Sequence, residues 1–313
     1  MMRALFARIG RFRLPFAQQT ASAKKMKQGV IIRRLPAKLG RCSKGGRGVA
    51  DILVDRPEEA IAVVTLNRPE RLNALTREMV AELNGILDGI AADVSCRAMI
   101  LIGAGRGFCS GQDLNASNAR NQSGDTSVVE KLHWQCQFAG MGGRLRAMPQ
   151  IVIAAVNGPA VGAGMALALS SDVRFVVPNA RFLVAAVRIG LSAGESGVSY
   201  LLPRLIGASR AFDILLTGRE IGAEEAERIG LAKAIVEPDA LLGEVLAYAR
   251  TVLANSPFSI AHTKRLMWEN LDQGYGQAIE LENRTQILAT TTRDYGEAVA
   301  AFISKRPPQF EGR

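Results

Sequence analysis

The sequence predicts an α/β fold. Three apolar runs have the length and β-branched content of buried strands, and helical patterns lie between them. These runs are Ala98–Ile102, Ile151–Val156 and Val173–Val177. A chain of 313 residues with 48% hydrophobic residues is long enough to bury a sizeable core. We therefore expect a globular protein of enzyme size.

The first predicted elements are two strands and a helix. Ordered structure is expected to begin near Val49, with strands at Ile52–Val54 and Ile61–Leu66. Thr76 is a predicted helix N-cap because apolar residues follow it at helical spacing from Val80 to Ile90. With the strand at Ala98–Ile102, the order is strand, strand, helix, strand.

The rest of the chain is predicted to be increasingly helical. The predicted elements after the third strand are a helix around Val128–Ala147, a helix of small residues after Gly162, helices at Ala211–Thr217 and Ala223–Ile229, a strand near Ala234–Val236, and helices over Pro257–Ile303. Charged residues alternate with periodic apolar ones in the last stretch, which is typical of helices that pack on a core or a neighbouring subunit.

The formal charge of +10 is concentrated at the N-terminus. Residues 1–50 contain 13 Lys and Arg and no Asp or Glu, whereas the remainder has 26 basic and 29 acidic residues. The body of the protein is therefore not basic, and we predict no nucleic-acid partner. Residues 1–48 are interpreted as a basic, disordered extension or as a targeting segment that resembles a mitochondrial transit peptide.

The cysteines favour a reducing compartment. All four are far apart in the sequence and form no CxxC pair: Cys42, Cys96, Cys109 and Cys136. We expect a cytoplasmic protein, or a protein of the mitochondrial matrix if residues 1–48 are a transit peptide.

The segment Gln150–Asp172 predicts a strand that leads into the N-terminus of a helix with almost no side chains in its first turn. Backbone N–H groups at such a helix start are available to a developing negative charge, and small residues let a ligand approach them. Asn157-Gly158-Pro159 interrupts the apolar run, so no membrane span is predicted. This segment is a candidate oxyanion site.

Other chemistries are disfavoured. The glycines at 103–107 follow a strand, but Phe108 stands at the third glycine position of a dinucleotide-binding GxGxxG fingerprint. His133 and His262 are interpreted as helix-surface or packing residues and Cys109 as a small buried residue. No metal ligands cluster in the sequence, so we predict no metal.

Two loops and several flanking motifs resemble the crotonase superfamily, which is the enoyl-CoA hydratase/isomerase family. The motifs are LNRPERLNAL at Leu66–Leu75, FCSGQDL at Phe108–Leu114, AAVNGPAVGAG at Ala154–Gly164, YLLPRLIGASRAFDILLTGR at Tyr200–Arg219 and EEAERIGL at Glu224–Leu231. The resemblance implies a spiral of repeated ββα units with a helical C-terminal region. It further implies a core over residues 49–250, an oligomerisation region over 251–313, and homotrimers or dimers of trimers.

The resemblance also implies an acyl-CoA substrate, with coenzyme A as part of that substrate and no separate cofactor. Two backbone N–H groups hold the thioester carbonyl in this family, and the matching donors are Gln112 and Ala163. The implied substrate-binding residues are Arg71, Leu72, Ala74, Gly111, Asp113, Gly162, Lys264 and Trp268. Arg71, Lys264 and Trp268 are the candidates for contacts with coenzyme A.

The catalytic acids depart from the hydratase pattern. The positions that match the two hydratase glutamates are Ala166 and Ala186, which excludes the usual hydration mechanism. Glu195 matches the position of an aspartate in dienoyl-CoA isomerases and in chlorobenzoyl-CoA dehalogenase. We therefore expect an enzyme that isomerises a double bond of an enoyl- or dienoyl-CoA with Glu195 as acid and base. Two alternatives stay open, a non-catalytic acyl-CoA binding protein and a hydratase that uses other groups, and so does a purely helix-capping role for Glu195.

Overall fold

The computed structural model of the chain describes residues 50–114 and 127–312. The basic segment over residues 1–48 lies outside the described residues, as does most of the polar loop after Leu114. None of the described helices is long and apolar enough to cross a membrane.

The described strands form two sheets. Their bounds are β1 Ile52–Glu58, β2 Ile61–Leu66, β3 Ala98–Gly103, β4 Ile151–Val156, β5 Pro159–Val161, β6 Val173–Val176, β7 Arg181–Leu183, β8 Ile221–Gly222 and β9 Ala234–Ile235. The larger sheet has the order β1-β2-β3-β4-β6-β9, and the smaller one has the order β5-β7-β8. All neighbours in the larger sheet are parallel except β1 and β2. The carboxyl ends of β3 and β4 therefore lie at the same edge.

The helices alternate with the strands and then dominate the end of the chain. Their bounds are α1 Arg77–Ala92, α2 Val128–Ala147, α3 Ala163–Ser170, α4 Val198–Ile206, α5 Ala208–Thr217, α6 Ala223–Arg228, α7 Leu241–Leu253, α8 Pro257–Asn270, α9 Tyr275–Thr290 and α10 Arg293–Ile303. Short 3-10 helices lie at Pro69–Arg71 and Ala186–Ile189. The α/β class predicted from the sequence is confirmed.

Local sequence signals explain why these elements begin where they do. The Thr76 hydroxyl accepts a hydrogen bond from the Met79 N–H, as predicted for an N-cap. Ser127 and Glu130 form a reciprocal capping box at the start of α2. β2 and β3 are buried almost throughout because apolar residues continue along both faces, as expected for parallel strands covered by helices.

The C-terminal helices differ from the rest in burial. α9 has no buried residue in the single chain, and α10 exposes Phe302 and Ile303. Met267 of α8 and Ile287 of α9 are exposed as well. The helical character predicted for this region is confirmed, and its exposed apolar side chains are of the kind that a protein interface covers.

Candidate active site

The two motifs with exposed backbone meet at the carboxyl ends of β3 and β4. The N–H groups of Phe108 and Cys109 donate to the Pro159 carbonyl at 3.1 Å, and the Val161 N–H donates to the Cys109 carbonyl at 2.8 Å. These bonds hold the FCSGQDL loop parallel to β5. Since β5 runs directly into α3, the loop is fixed beside the N-terminus of that helix.

Gln112 is oriented by a short parallel bridge to Leu75. The Leu75 N–H donates to the Gly111 carbonyl at 2.7 Å, and the Asp113 N–H donates to the Leu75 carbonyl at 3.0 Å. In a parallel bridge of this kind, the N–H of the residue between the two bonds points away from the partner. The Gln112 N–H is therefore directed away from Leu75.

Ala163 is the first residue of α3, and its N–H has no carbonyl acceptor in the described part of the chain. A Cβ placed on Gly111 would lie 3.4 Å from the Ala163 nitrogen, so the two donor segments are adjacent. Gly162 precedes the helix with φ of 52°, a left-handed conformation that favours glycine. The structure thus brings Gly111, Gly162 and Ala163 into one small region.

Gly164 makes this close approach of two backbones possible. A Cβ on Gly164 would lie 2.0 Å from the Cys109 carbonyl oxygen, which no side chain tolerates. The first turn of α3 therefore packs directly against the FCSGQDL loop.

Asn73 is a supporting residue that the sequence analysis did not identify. Its side-chain amide donates to the carbonyls of Gly107 at 2.8 Å and Phe108 at 3.2 Å, and its Oδ1 accepts from the Arg68 N–H at 2.9 Å. It is fully buried with φ of 57°, a conformation that asparagine tolerates better than most residues. The sequence feature that could have identified Asn73 is an asparagine next to a turn in the LNRPERLNAL motif.

The predicted substrate-binding residues before Leu75 also contact the FCSGQDL loop. The Ser110 N–H donates to the Leu72 carbonyl at 2.9 Å. The Ala74 carbonyl accepts from Arg68 at 2.7 Å, and the same guanidinium pairs with Asp113 at 3.2 Å. Asp113 therefore helps to anchor the loop. The Arg71 side chain is exposed and has no ion pair or hydrogen bond among the described residues.

The Glu195 carboxylate lies against Gly162. A Cβ on Gly162 would be 3.1 Å from Glu195 Oε1, which places the carboxylate beside the residue that precedes Ala163. The side chain is half-buried, and burial raises the pKa of the Glu195 carboxyl above its ordinary value. Within the described ranges it has no hydrogen bond or ion pair. A carboxyl group with a raised pKa beside a possible substrate site is a candidate for proton transfer.

Glu195 does not cap the following helix through its side chain. Gly197 is the N-cap of α4 and the helix start has no side-chain cap bond. The main chain instead turns sharply, since the Val198 N–H donates to the Glu195 carbonyl at 2.8 Å and Ser196 has φ of 47°. This strained turn directs the carboxylate to Gly162.

The positions matched to the hydratase glutamates are occupied by two buried alanines. Ala166 in the first half of α3 is 3% exposed, and Ala186 at the start of a 3-10 helix is 8% exposed. Neither can activate water or move a proton.

Lys264 and Trp268 lie elsewhere. The Lys264 ammonium is buried at the start of β4, where it pairs with Asp172 at 3.0 Å and donates to the Gln150 carbonyl at 2.7 Å. The Trp268 indole N–H donates to the same carboxylate at 2.7 Å. β4 lies between these groups and the donor loops, and its six residues span about 20 Å. Within one chain the structure therefore does not bring Lys264 and Trp268 to Arg71, because both side chains are bound to Asp172.

The remaining candidates have structural surroundings. Cys109 is fully buried, and burial raises the pKa of its thiol to about 12, so a reactive thiolate is disfavoured. The ring of His262 packs on Phe258 with centroids 4.1 Å apart, and His133 is exposed on α2. The described residues contain no group of three or more His, Cys, Asp or Glu suited to a metal ion.

Comparison with known proteins identifies the family. The family model described as Enoyl-CoA hydratase/isomerase matches residues 56–313. This match covers most of the chain and both donor loops. The chain belongs to the enoyl-CoA hydratase/isomerase family. The predicted crotonase resemblance and fold are thus confirmed.

Relatives in this family are named for different activities. A probable enoyl-CoA hydratase, echA12, of Mycobacterium leprae is 42% identical over 265 residues, which are 83% of this chain and 90% of that protein. The 1,2-epoxyphenylacetyl-CoA isomerase of Escherichia coli is 35% identical over 266 residues, covering 84% and 99% of the two chains.

Solved structures share the fold. A probable enoyl-CoA hydratase/isomerase from Mycobacterium abscessus is 41% identical with a TM-score of 0.77, covering 84% of this chain and 100% of that one. This enoyl-CoA hydratase/isomerase family member is therefore expected to act on CoA thioesters.

Proposed function

We propose that this protein isomerises a carbon–carbon double bond of an enoyl- or dienoyl-CoA. In the proposed reaction the Gln112 and Ala163 N–H groups hold the thioester carbonyl, and Glu195 moves the proton. The observation that carries the proposal is the half-buried Glu195 carboxylate, which has no partner among the described residues and lies against Gly162, next to the Ala163 N–H.

The proposed steps conserve atoms and charge. The ionised Glu195 carboxylate removes a proton from the α carbon of a 3-enoyl-CoA, and the electron pair of that C–H bond moves into a dienolate. The negative charge develops on the thioester oxygen, where each backbone donor is worth about 3–4 kcal/mol of barrier. The Glu195 carboxylic acid, which is partly exposed and exchanges its proton with solvent, then protonates the γ carbon, which gives the 2-enoyl-CoA and regenerates the carboxylate.

The apolar surroundings support isomerisation over hydration. Ala166 and Ala186 leave no carboxylate at the positions where a hydratase positions water. One acid that both removes and returns a proton suffices for isomerisation. The isomerase among the relatives agrees with this choice in reaction class, although its name gives an epoxide as its substrate.

Replacing Glu195 tests the proposal. Glu195→Gln removes the proton-transfer group at nearly constant shape, so turnover of a 3-enoyl-CoA should fall by about 10²–10⁴ while the affinity for acyl-CoA is kept. Turnover should be measured spectrophotometrically and affinity by calorimetry. Unchanged turnover would exclude Glu195 as the acid and base.

The two alternatives give other outcomes. If the wild-type protein binds acyl-CoA but turns over no enoyl-, dienoyl- or aryl-CoA thioester, it is a binding protein. Rapid hydration of crotonyl-CoA would indicate a hydratase with other catalytic groups.

The assembly and the compartment are proposed on the same basis. Exposed apolar residues on α8, α9 and α10 support a homotrimer or a dimer of trimers, which sedimentation would test. A cytoplasmic location is supported by the widely separated cysteines. The relatives named above are bacterial, which gives a mitochondrial location no support.

A further inference from the structure

A second cleft lies at the other end of β4 from the donor loops. It has a volume of about 650 Å³ and opens between the C-terminal end of α2 and α8. This volume lies in the range of small-molecule sites. Its apolar lining includes Met148, Pro149 and Ala261, and its charged lining includes Arg146.

The other ionised side chains of this cleft have partners. Lys264 pairs with Asp172 at 3.0 Å and Arg265 with Glu269 at 2.7 Å. Asp272 accepts a hydrogen bond from Tyr200 and pairs with Arg204 at 3.0 Å. Burial lowers the pKa of His262, the remaining titratable group, which therefore stays neutral near pH 7.

Arg146 is different. No ion pair or hydrogen bond to its guanidinium is formed by residues 50–114 or 127–312, and its Nε is enclosed without an acceptor. The Arg146 guanidinium interacts with the Asp272 carboxylate only through a weaker coulombic attraction, because Tyr200 and Arg204 form the direct bonds to that carboxylate. An enclosed guanidinium nitrogen without an acceptor is unfavourable unless a ligand satisfies it.

Aromatic rings hold the Arg146 guanidinium in place. Its central carbon lies 4.5 Å from the ring centre of Trp268 and 5.2 Å from that of Tyr200. The faces of these rings attract the cation, but they do not accept hydrogen bonds from the N–H groups that lie in the plane of the guanidinium. The planar N–H fork is thus pre-oriented, and carboxylates and phosphates are the groups whose geometry it matches.

We propose that this cleft binds a small organic anion, with its carboxylate or phosphate on Arg146 and its apolar part against Met148, Pro149 and Ala261. The net charge of the paired groups around the cleft is zero, so Arg146 supplies the uncompensated positive charge. The site is separate from the donor loops and does not depend on the role of Glu195.

Calorimetric titration of the full-length protein tests this proposal. The probes are benzoate for a carboxylate with an apolar body, inorganic phosphate for a phosphate, and benzamide as the uncharged analogue of benzoate. We expect saturable binding of at least one of the two anions and none of benzamide. Arg146→Gln should weaken that binding at least tenfold.

Arg144→Gln is the matched control. Arg144 lies on the same helix but pairs with Asp88 at 2.9 Å, so its replacement should leave anion binding unchanged. Should Arg146→Gln fail to fold, Arg146→Lys keeps the charge without the planar fork, and at least threefold weaker binding is expected.

Four results would overturn the proposal. They are the absence of saturable binding of either anion, equal affinity in the wild type and the Arg146 variants, equal loss in Arg144→Gln, and stoichiometric displacement of the anion by acyl-CoA. The last would assign the anion to the CoA site instead.

Discussion

The two ends of β4 treat polar groups in opposite ways. At its start, the buried Lys264 ammonium pairs with the Asp172 carboxylate and donates to the Gln150 carbonyl. Beyond its end, the Ala163 N–H and the Glu195 carboxylate are without partners in the described structure, although they lie close together.

This difference separates a structural polar cluster from a site poised for a ligand. Buried polar groups in stable proteins are nearly always satisfied, so the first arrangement contributes to folding. Groups left unsatisfied cost stability, and they persist where a ligand or a reaction uses them. Four substitutions can break or sharpen this contrast.

The largest expected effect is at the start of β4. Lys264→Ala leaves the buried Asp172 carboxylate without its cation, which should lower the free energy of unfolding by about 3–5 kcal/mol in urea titrations. Arg71→Ala is the control, because that exposed side chain has no partner in residues 50–114 and 127–312, and its loss should raise the KM for acyl-CoA with unchanged stability. The opposite pattern, an altered KM and unchanged stability for Lys264→Ala, would restore Lys264 as a substrate contact.

Gly164→Ala tests the close backbone contact at the donor loops. The new Cβ would meet the Cys109 carbonyl at 2.0 Å, and overpacking of this kind costs about 3 kcal/mol or more. Gly85→Ala in α1 has no atom within 4 Å of its Cβ and should instead stabilise by about 0.5–1 kcal/mol. If both variants have the same thermal unfolding midpoint as the wild type, the loops are not tightly packed against each other.

Ser196→Val tests the turn that directs Glu195. A β-branched residue is strongly disfavoured at φ of 47°, so the carboxylate should move away from Gly162 and kcat should fall about tenfold, which corresponds to about 1.4 kcal/mol. Ser199→Val in the first turn of α4 is the matched control and should keep its kcat. Ser196→Gly accepts the positive φ and should therefore keep the wild-type kcat. Equal kcat in Ser196→Val and the wild type would refute the role of this turn in positioning Glu195.

The smallest effect concerns stability and pH. Because burial raises the pKa of Glu195 in the folded state, its contribution to stability is complete below the ordinary glutamate pKa and is lost as pH rises through the folded value. Glu195→Gln should therefore have a slightly higher unfolding midpoint than the wild type at pH 7 and the same midpoint below pH of about 4. A lower midpoint at pH 7 would mean that the carboxylate has a stabilising partner.

The comparison also explains what the sequence can predict. The donor loops were predictable because backbone chemistry needs small residues at fixed positions, as in Gly162-Ala163-Gly164. The strands β5, β7 and β8 were not, since two or three residues carry no periodicity. A helix after Glu195 was expected only as the element that this residue could cap, and its bounds were not predicted because Pro203 lies within it.

Long-range contacts limited the prediction of side-chain roles. In the sequence alone, Lys264 is a cation within a charged helix, as expected for a surface residue. Only the folded chain shows that it pairs with Asp172, which lies 92 positions earlier. Glu195 was found through family resemblance, whereas its contact with Gly162 depends on the left-handed turn at Ser196.

Proton exchange in deuterium oxide tests the central claim most directly. A 3-enoyl-CoA incubated with the wild-type protein in deuterium oxide should acquire deuterium at the α or γ carbon as the double bond moves, as followed by NMR. Glu195→Gln should bind the same thioester and incorporate no deuterium above the uncatalysed rate. Incorporation by Glu195→Gln at the wild-type rate would contradict the assignment of Glu195 as the proton carrier.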